Sequence, residues 1–401
     1  MRRHIHVVGF VACLLYAYMF EIRLIHNHHQ QQQQQQQKHV NVSNCETDGS
    51  CAPSSHEQQQ QQNDDDVSKQ QSTIVHPQLP DECPLAVKNA VGIYKNPSNQ
   101  KFANTVLLTA SNADFVDMLY NWEAFADQQH GLKYAVLAMD DAIYQQLGPH
   151  RAVPSISDYV ISNTFTGRSN KKYLTLVCNK MRMILDILQK CKVDVVFSDA
   201  DNIFLQDPFQ HDLGKLILSG SGFDYLYTTN DAWTEQPRSH PCIRDGTFAE
   251  REGNTGLEYI RSKATWVQTV MHRTLFKCDR PKNRHHDQTL FWKIMANHRT
   301  PDWVHCNKDT FANLDNNNKA SFIAPKQHAN TSGSATTPTM CCLDPHYYAV
   351  GAARPAKPET LVAFHANYVK TFGEKKERLA TWVDGWRNNN SAAAIVNASS
   401  N

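Results

Sequence analysis

Two aspartates at the end of an apolar run are the strongest candidates for chemistry in this sequence. The segment that begins at Val193 reads VDVVFSDAD and places Asp199 and Asp201 directly after β-branched and aromatic residues. Side chains alternate in an extended chain, so both carboxylates would project to the same side. Two buried carboxylates repel each other, and we expect the pair to stay ionised only if a cation neutralises it. Because Mg²⁺ and Mn²⁺ favour such ligands and share them with substrate phosphates, the motif predicts a divalent-metal site.

Two further segments carry polar residues at the ends of predicted elements. His365 closes the apolar strand Leu361–Phe364, where a neutral imidazole is a suitable third metal ligand, although a lone histidine in this position is usually structural. Asp287 and Gln288 open a predicted helix over Asp287–Met295. The simpler interpretation of Asp287 is a carboxylate favoured by the helix dipole.

A glycine-containing segment and one lysine have less specific patterns. Asn254 and Gly256 precede the strand-like Leu257–Ile260, and glycine there would let the backbone approach a ligand closely. An ordinary turn is the competing interpretation. Lys180 lies on the long predicted helix and is interpreted as a solvated charge.

The elements that must position these residues alternate between strands and helices. Apolar runs of strand length and segments of helical periodicity follow one another along the chain, which predicts an α/β fold with right-handed crossovers. The predicted strands are Thr105–Leu108, Tyr134–Ala138 and Val193–Phe197, and the clearest predicted helices are Asp114–Ala126 and Tyr173–Gln189. In open α/β sheets ligands bind beyond the carboxyl ends of the strands, which is where the acid pair falls.

Around this pair the sequence resembles the nucleotide-diphospho-sugar transferase family. The segment DVVFSDADNIFLQDPF resembles the family signature, and four further blocks follow the family order: TVLLTASNADFVDMLYNW, GNTGLEYIRS, HHDQTLFW and FHANYVKTFGEKKERL. The resemblance covers about Lys101 to Trp386. It implies a retaining enzyme of GT-A-like fold, with a Rossmann-type mixed sheet flanked by helices in a single catalytic domain. Plant and algal arabinosyl-, xylosyl- and galactosyltransferases belong to this family.

The resemblance also implies roles for individual residues. Asp199, Asp201 and His365 would hold Mn²⁺ or Mg²⁺, and Asp287 and Gln288 would act at the donor sugar near its anomeric carbon. The residues expected to bind the donor are Thr109, Asn112, Asp199, Asn254, Gly256 and Lys375. The implied partners are a UDP-sugar carrying xylose, arabinose or galactose, and a glycan or glycoprotein acceptor.

The expected diphosphate-binding lysine lies where the sequence departs from the family pattern. The glycine usually found six residues after the histidine is Thr371 here, and Gly373 comes two residues later. Lys375 therefore has two rivals for this role, Lys370 and Lys376.

The N-terminal region predicts export. Arg2 and Arg3 precede an uncharged apolar stretch that ends at Glu21, which favours a signal anchor with the body of the chain across the membrane; a cleaved signal peptide is the alternative. Glutamine tracts after it predict a disordered stem. The predicted organisation is a cytosolic tail (1–4), an anchor (5–25), a stem (26–80), a catalytic domain (81–387) and a polar tail (388–401). We expect a Golgi membrane protein of type II with a luminal catalytic domain.

Composition bounds the remaining classes of function. The 40 Lys and Arg nearly balance the 39 Asp and Glu, so the formal charge of +1 gives no indication of nucleic-acid binding. Of the 11 cysteines, all but Cys13 lie beyond the apolar stretch, as suits an oxidising compartment with disulfides. Two alternatives stay open: a metal-dependent phosphohydrolase using the same acid pair, and a catalytically silent carbohydrate-binding surface protein.

Overall fold

The computed structural model describes the chain at residues 78–96, 101–156, 171–218, 222–229, 253–280, 283–298, 304–305, 338–345, 347–351, 360–367 and 373–384. By compactness the chain divides into Met1–Ser72 and Thr73–Asn401, and every described residue belongs to the second unit. The predicted anchor at 5–25, the predicted tail at 388–401 and the predicted stem up to residue 77 lie outside the described residues. Within the described part, no helix is both long and apolar enough to cross a bilayer.

The described residues form eleven strands, most of them in one sheet. In chain order they are β1 Thr105–Ser111, β2 Ala135–Ala138, β3 Ala152–Val153, β4 Asp194–Asp199, β5 Asn202–Phe204, β6 Tyr225–Thr229, β7 Gly253–Ile260, β8 Val304–His305, β9 Thr339–Cys342, β10 Tyr348–Val350 and β11 Ala363–His365. Eight of them form a sheet of order β3-β2-β1-β4-β7-β6-β9-β8. The first four run parallel, whereas β7 is antiparallel to β4 and β6. The predicted Rossmann-type mixed α/β sheet is therefore confirmed.

Helices flank this sheet where the sequence shows helical periodicity. In chain order they are α1 Leu85–Ala90, α2 Val116–Glu123, α3 Asp141–Leu147, α4 Lys171–Cys191, α5 Asp212–Leu218, α6 Thr265–Cys278, α7 Asp287–His298 and α8 373–384. The predicted helix Tyr173–Gln189 is confirmed as α4. The predicted helix Asp114–Ala126 is divided, because a 3₁₀ turn precedes α2 and a π-helical turn follows it.

The apolar run of β4 is continuous because both faces of the strand are buried. Val195 and Phe197 pack on the face covered by α4, whereas Val196 packs in a second apolar cluster on the opposite face. Asp199 has the same parity as Val195 and Phe197, so its side chain falls on the α4 side of the sheet.

Disulfides fix α4 at two points. Cys191, the last residue of α4, is bonded to Cys83, and Cys178 is bonded to Cys278 at the end of α6. Both bonds span about a hundred residues of sequence, so they hold distant parts of the chain around the helix that covers the acid pair.

A smaller sheet of order β10-β11-β5 completes the surroundings of the acid pair. Strand β5 starts three residues after Asp199, and β11 pairs with it in antiparallel register, with His365 opposite Asn202. The last residue of β4, Asp199, and the turn that holds Asp201 therefore lie next to the end of β11. This pairing explains how residues far apart in sequence meet.

Two expectations about local structure are wrong. Asn254 and Gly256 do not precede a strand in a turn; both lie within β7, which pairs with β4 on one side and β6 on the other. His365 closes its strand as predicted, but the strand begins at Ala363 and not at Leu361. In both places, pairing with distant strands, and not the apolar run alone, sets the bounds of the element.

Candidate active site

The acid pair lies at the carboxyl edge of the parallel strands. Asp199 ends β4 opposite Ala110 of the neighbouring β1, and Asp201 follows in the short turn before β5. The side chain of Asp201 is 8% exposed and that of Asp199 is 28% exposed. Both carboxylates face the imidazole of His365, although Asp201 lies in a turn and not in the extended chain from which this common direction is predicted.

His365 brings the third candidate ligand to this edge. Its Nε2 lies 3.1 Å from Oδ1 of Asp201 and 3.7 Å from Oδ2 of Asp199. One ligand atom from each of these three residues lies within 4.8 Å of the other two. Octahedral ions such as Mg²⁺ bind ligands at about 2.0–2.1 Å, so two ligands of one ion lie at most about 4.2 Å apart, and small side-chain shifts would bring these three atoms around one ion. Two carboxylates and an imidazole are also a suitable donor set for Mn²⁺.

Gly256 gives the His365 ring its place. A Cβ atom at position 256 would lie 2.1 Å from Cε1 and 2.7 Å from Nδ1 of the ring, so a side chain there would displace the imidazole. Two asparagines hold the backbone of Gly256: Oδ1 of Asn254 accepts from its nitrogen at 2.7 Å, and Asn202 donates to its carbonyl oxygen at 2.5 Å. Gly256 thus serves the predicted site through the histidine.

Lys180 is not the solvated charge that the sequence predicts. Lys180 is buried, and its ammonium lies 3.1 Å from Oδ1 of Asp199 and 3.7 Å from Oδ2 of Asp287. It also donates to the carbonyl oxygen of Thr255 at 3.4 Å. The periodicity of α4 indicates that Lys180 is buried. Three apolar residues that follow it at helical spacing are buried, and they lie on the same face: Met183, Ile184 and Ile187, at three, four and seven residues after Lys180.

Asp287 and Gln288 join the cluster from the start of α7. Asp287 is buried, and its Oδ2 accepts from the hydroxyl of Thr255 at 3.4 Å. Oε1 of Gln288 accepts from the backbone nitrogen of Thr255, also at 3.4 Å. The structure therefore brings both residues to β7 beside the acid pair. The helix dipole alone does not account for Asp287, because its carboxylate also pairs with Lys180.

Of the three candidate lysines near the C-terminal block, Lys375 contacts the acid pair. Its ammonium pairs with Oδ2 of Asp201, the carboxylate oxygen opposite the one nearest His365. Lys376 points elsewhere and pairs with the exposed Asp117. Lys370 lies outside the described residues.

Two lysines neutralise much of the negative charge of the acids, which on the sequence alone a metal ion is expected to neutralise. Burial alone would raise the pKa of Asp201, but Lys375 and His365 together hold that pKa well below its ordinary value. Burial likewise opposes the charge on Lys180, yet the neighbouring carboxylates, led by Asp199, raise its pKa above the ordinary value. The expectation that a bound metal alone faces these acids is therefore wrong, because Lys180 pairs with Asp199 and Lys375 with Asp201; a metal is indicated by the ligand geometry instead.

A buried acid that the sequence did not single out lies deeper in the same cluster. Glu258 of β7 is opposite Phe197 of β4 and is fully enclosed, and its Oε2 accepts from the hydroxyl of Tyr225 at 2.7 Å. Burial raises the pKa of Glu258 to about 7, although the Tyr225 hydrogen bond and the charge of Lys180 both lower it.

Thr109 and Asn112 lie at the end of β1, the strand next to β4. Both are buried, and neither the hydroxyl of Thr109 nor Oδ1 of Asn112 has a hydrogen-bond partner among the described residues. Thr109 is opposite Ser198, the residue before Asp199. Buried polar atoms without a partner are costly, but the hydroxyl of Thr109 lies on the face of Ser198, which is opposite to the face of Asp199.

Comparison with known proteins places this site in context. The family model described as nucleotide-diphospho-sugar transferase matches residues 131–379, more than half of the chain. No curated protein matches the sequence significantly.

Three solved structures show low similarity to the chain. The glycosyltransferase GlyE of Streptococcus pneumoniae TIGR4 is 11% identical over 71% of this chain and 63% of that chain, with a TM-score of 0.33. Its apo form is 14% identical over 47% and 42%, with a TM-score of 0.25. The apo bifunctional glycosyltransferase WbbM is 13% identical over 50% and 40%, with a TM-score of 0.28. The alignments span less than two thirds of each of these proteins.

Proposed function

The chain belongs to the nucleotide-diphospho-sugar transferase family and is therefore a glycosyltransferase, and we propose that it transfers a sugar from a UDP-sugar to a hydroxyl group of a glycan or glycoprotein. The observation that carries this proposal is the convergence of Asp199, Asp201 and His365 within 4.8 Å at the carboxyl edge of the sheet. A buried lysine and a buried acid, Lys180 and Asp287, adjoin them.

The three converging side chains would hold Mn²⁺ or Mg²⁺. The ligand atoms lie within 4.8 Å of one another, close enough for small side-chain shifts to bring them around one ion, and the close packing of Gly256 against His365 fixes the imidazole facing both carboxylates. A bound divalent ion supplies positive charge that stabilises the departing nucleoside diphosphate. The protein's own contribution is to fix these ligands before the donor arrives.

The neighbouring residues supply the rest of the donor site. Lys375 reaches Asp201 from α8 and provides a second positive charge for the diphosphate. Asp287 is held ionised by Lys180, so it is an acceptor for hydroxyl groups of the sugar, and Gln288 adjoins it near the anomeric carbon. At the end of β1, Thr109 and Asn112 would meet the nucleotide, and Asn254 would meet the sugar, whereas Gly256 serves the site through the ring of His365.

We further infer a retaining transfer of xylose, arabinose or galactose by an enzyme of GT-A-like fold. The cellular placement belongs to the same proposal: a type II protein of the Golgi membrane, anchored by residues 5–25, with its catalytic domain in the lumen. The two disulfides on α4 support an oxidising compartment. The apolar stretch after Arg2 and Arg3 supports an anchor of this orientation.

The test is release of UDP by the full-length chain, purified in detergent and stripped of metal. UDP-xylose, UDP-arabinose and UDP-galactose are each supplied with and without Mn²⁺. We expect Mn²⁺-dependent release from one donor above the others, and at least about a hundredfold loss in Asp201→Asn because it removes a ligand charge. Asp186→Asn, which alters an exposed pair on α4, is the matched control and should keep full activity.

Other outcomes of the same assay point away from the proposal. Release of phosphate from simple esters, with no UDP from any donor, would favour a phosphohydrolase. Saturable sugar binding without turnover would favour a carbohydrate-binding protein. Equal activity of Asp201→Asn and the wild type would remove the acid pair from the mechanism.

A further inference from the structure

Lys375 and the candidate metal ion would share one carboxylate. Asp201 directs one oxygen toward His365 and Asp199 and the other toward the ammonium of Lys375. The oxygen that faces His365 is the one available to an ion held by the three ligands. A metal bound there would therefore lie across a single carboxylate from a fixed positive charge.

The position of this lysine is set by helix α8 and is not a chance surface contact. Leu379 and Val383 of the helix are buried in an apolar cluster with Phe364 of β11. Arg378 donates to the carbonyl oxygens of Gly351 at 3.0 Å and Asn367 at 2.8 Å, so the helix is tied to the chain just beyond the carboxyl ends of β10 and β11. Lys375 itself is only 19% exposed.

From this geometry we propose that Lys375 couples metal binding to donor binding, a role that rests on the proposed function. While its ammonium is paired with Asp201, it repels an incoming divalent ion and reduces the electron density that Asp201 offers as a ligand. A diphosphate bound to the ion presents new oxygens to the same ammonium and relieves that contact. The protein alone then binds the metal weakly, and the metal and the diphosphate bind tightly together.

The linkage between two ligands is reciprocal, so the coupling can be measured from either side. The dissociation constant of Mn²⁺ is measured for the full-length chain by the electron paramagnetic resonance signal of free Mn²⁺, with no nucleotide and with saturating UDP. The ratio of the two constants is the coupling factor. Both constants are obtained for the wild type, Lys375→Met, Lys375→Arg and Lys376→Met.

Lys375→Met should bind Mn²⁺ about tenfold more tightly than the wild type when UDP is absent, because one repelling charge a few ångströms from the ion is gone. Its coupling factor should fall by about the same amount or more, since the diphosphate also loses a partner. Lys375→Arg keeps the charge and should stay close to the wild type. Lys376→Met removes a lysine of the same helix whose ammonium pairs with the exposed Asp117, and should change neither constant.

The outcomes separate this inference from the proposed function. If the wild type binds neither Mn²⁺ nor UDP, the proposed function fails. If it binds both, but Lys375→Met binds Mn²⁺ no more tightly without UDP, the coupling role is refuted and the function stands. A coupling factor unchanged by Lys375→Met refutes the role in the same way. Unfolding curves of each variant confirm that the compared proteins are folded.

Discussion

Glu258 offers the sharpest test of the buried electrostatics beneath the site. It lies in the central strand β7, enclosed on all sides, with the hydroxyl of Tyr225 as its hydrogen-bond donor. Glu258→Gln keeps an oxygen that can accept this hydrogen bond, and it keeps the volume of the side chain while removing the ionisable group. We expect the variant to be more stable than the wild type at alkaline pH and to lose this advantage in acid.

The magnitude follows from the pKa of Glu258, which burial raises from its ordinary value of 4.5 to about 7. Between these values the folded protein keeps a proton that the unfolded chain has released, so the stability of the wild type falls as pH rises. The loss begins near pH 4.5 and is complete above pH 7, where it amounts to about 3 kcal/mol. The variant lacks this loss, so the difference in unfolding free energy should grow by about 3 kcal/mol from pH 4 to pH 8.

The assay is urea unfolding followed by tryptophan fluorescence, at half-unit steps of pH, with disulfides intact and EDTA present. Taking the difference between variant and wild type cancels the titration of groups that both proteins share. Glu374→Gln, on the exposed side of α8, controls for the loss of a carboxylate. A difference that is constant from pH 4 to pH 8 would refute the reasoning, because Glu258 would then titrate alike in the folded and unfolded chains.

Two further substitutions test how the site is built. Gly256→Ala should weaken Mn²⁺ binding at least about tenfold, because its Cβ would lie 2.1 Å from Cε1 of His365 and must displace that ligand. An affinity for Mn²⁺ within twofold of the wild type would show that the ring can move without weakening metal binding. Lys180→Met should lower the free energy of unfolding by about 3 kcal/mol, because it leaves buried carboxylates unpaired. Lys190→Met on the same helix removes only an exposed pair, so it should lower the free energy of unfolding by under about 1 kcal/mol. Equal losses in the two lysine variants, measured by urea unfolding, would contradict the buried pairing.

The acid pair could be predicted from the sequence because its evidence is local. A strand buried on both faces leaves a continuous apolar run, and the alternation of side chains fixes the direction of Asp199 once the strand is recognised. His365 could not be joined to the pair in this way. Its place beside Asp201 depends on the pairing of β11 with β5, which joins residues about 160 positions apart, and only the family resemblance indicates it.

The residues that sequence reasoning missed are charged side chains with distant partners. Lys180 has the periodicity of a buried residue, but a lysine is rarely buried unless acids from other elements reach it, and these acids come from β4 and α7. Glu258 lies between Leu257 and Tyr259, an alternation that usually places a charge on a solvated face. β7 is a central strand with both faces buried, so its alternating side chains point into two different parts of the protein interior.

The charges of the described cluster bear on whether the enzyme depends on a metal. The carboxylates of Asp199, Asp201, Asp287 and Glu258 face the ammonium groups of Lys180 and Lys375, so four acids against two lysines leave a formal charge of −2, or −1 when Glu258 holds its proton. The diphosphate of a nucleotide sugar is itself an anion and would be repelled by such a site. A divalent ion at the three ligands would cancel this excess, whereas the lysines alone do not. The affinity for UDP should therefore collapse in EDTA and return with Mn²⁺. If UDP instead binds equally well in EDTA, positive charge from outside the described residues must balance the acids, and the lysines would be the permanent counter-ions of the site.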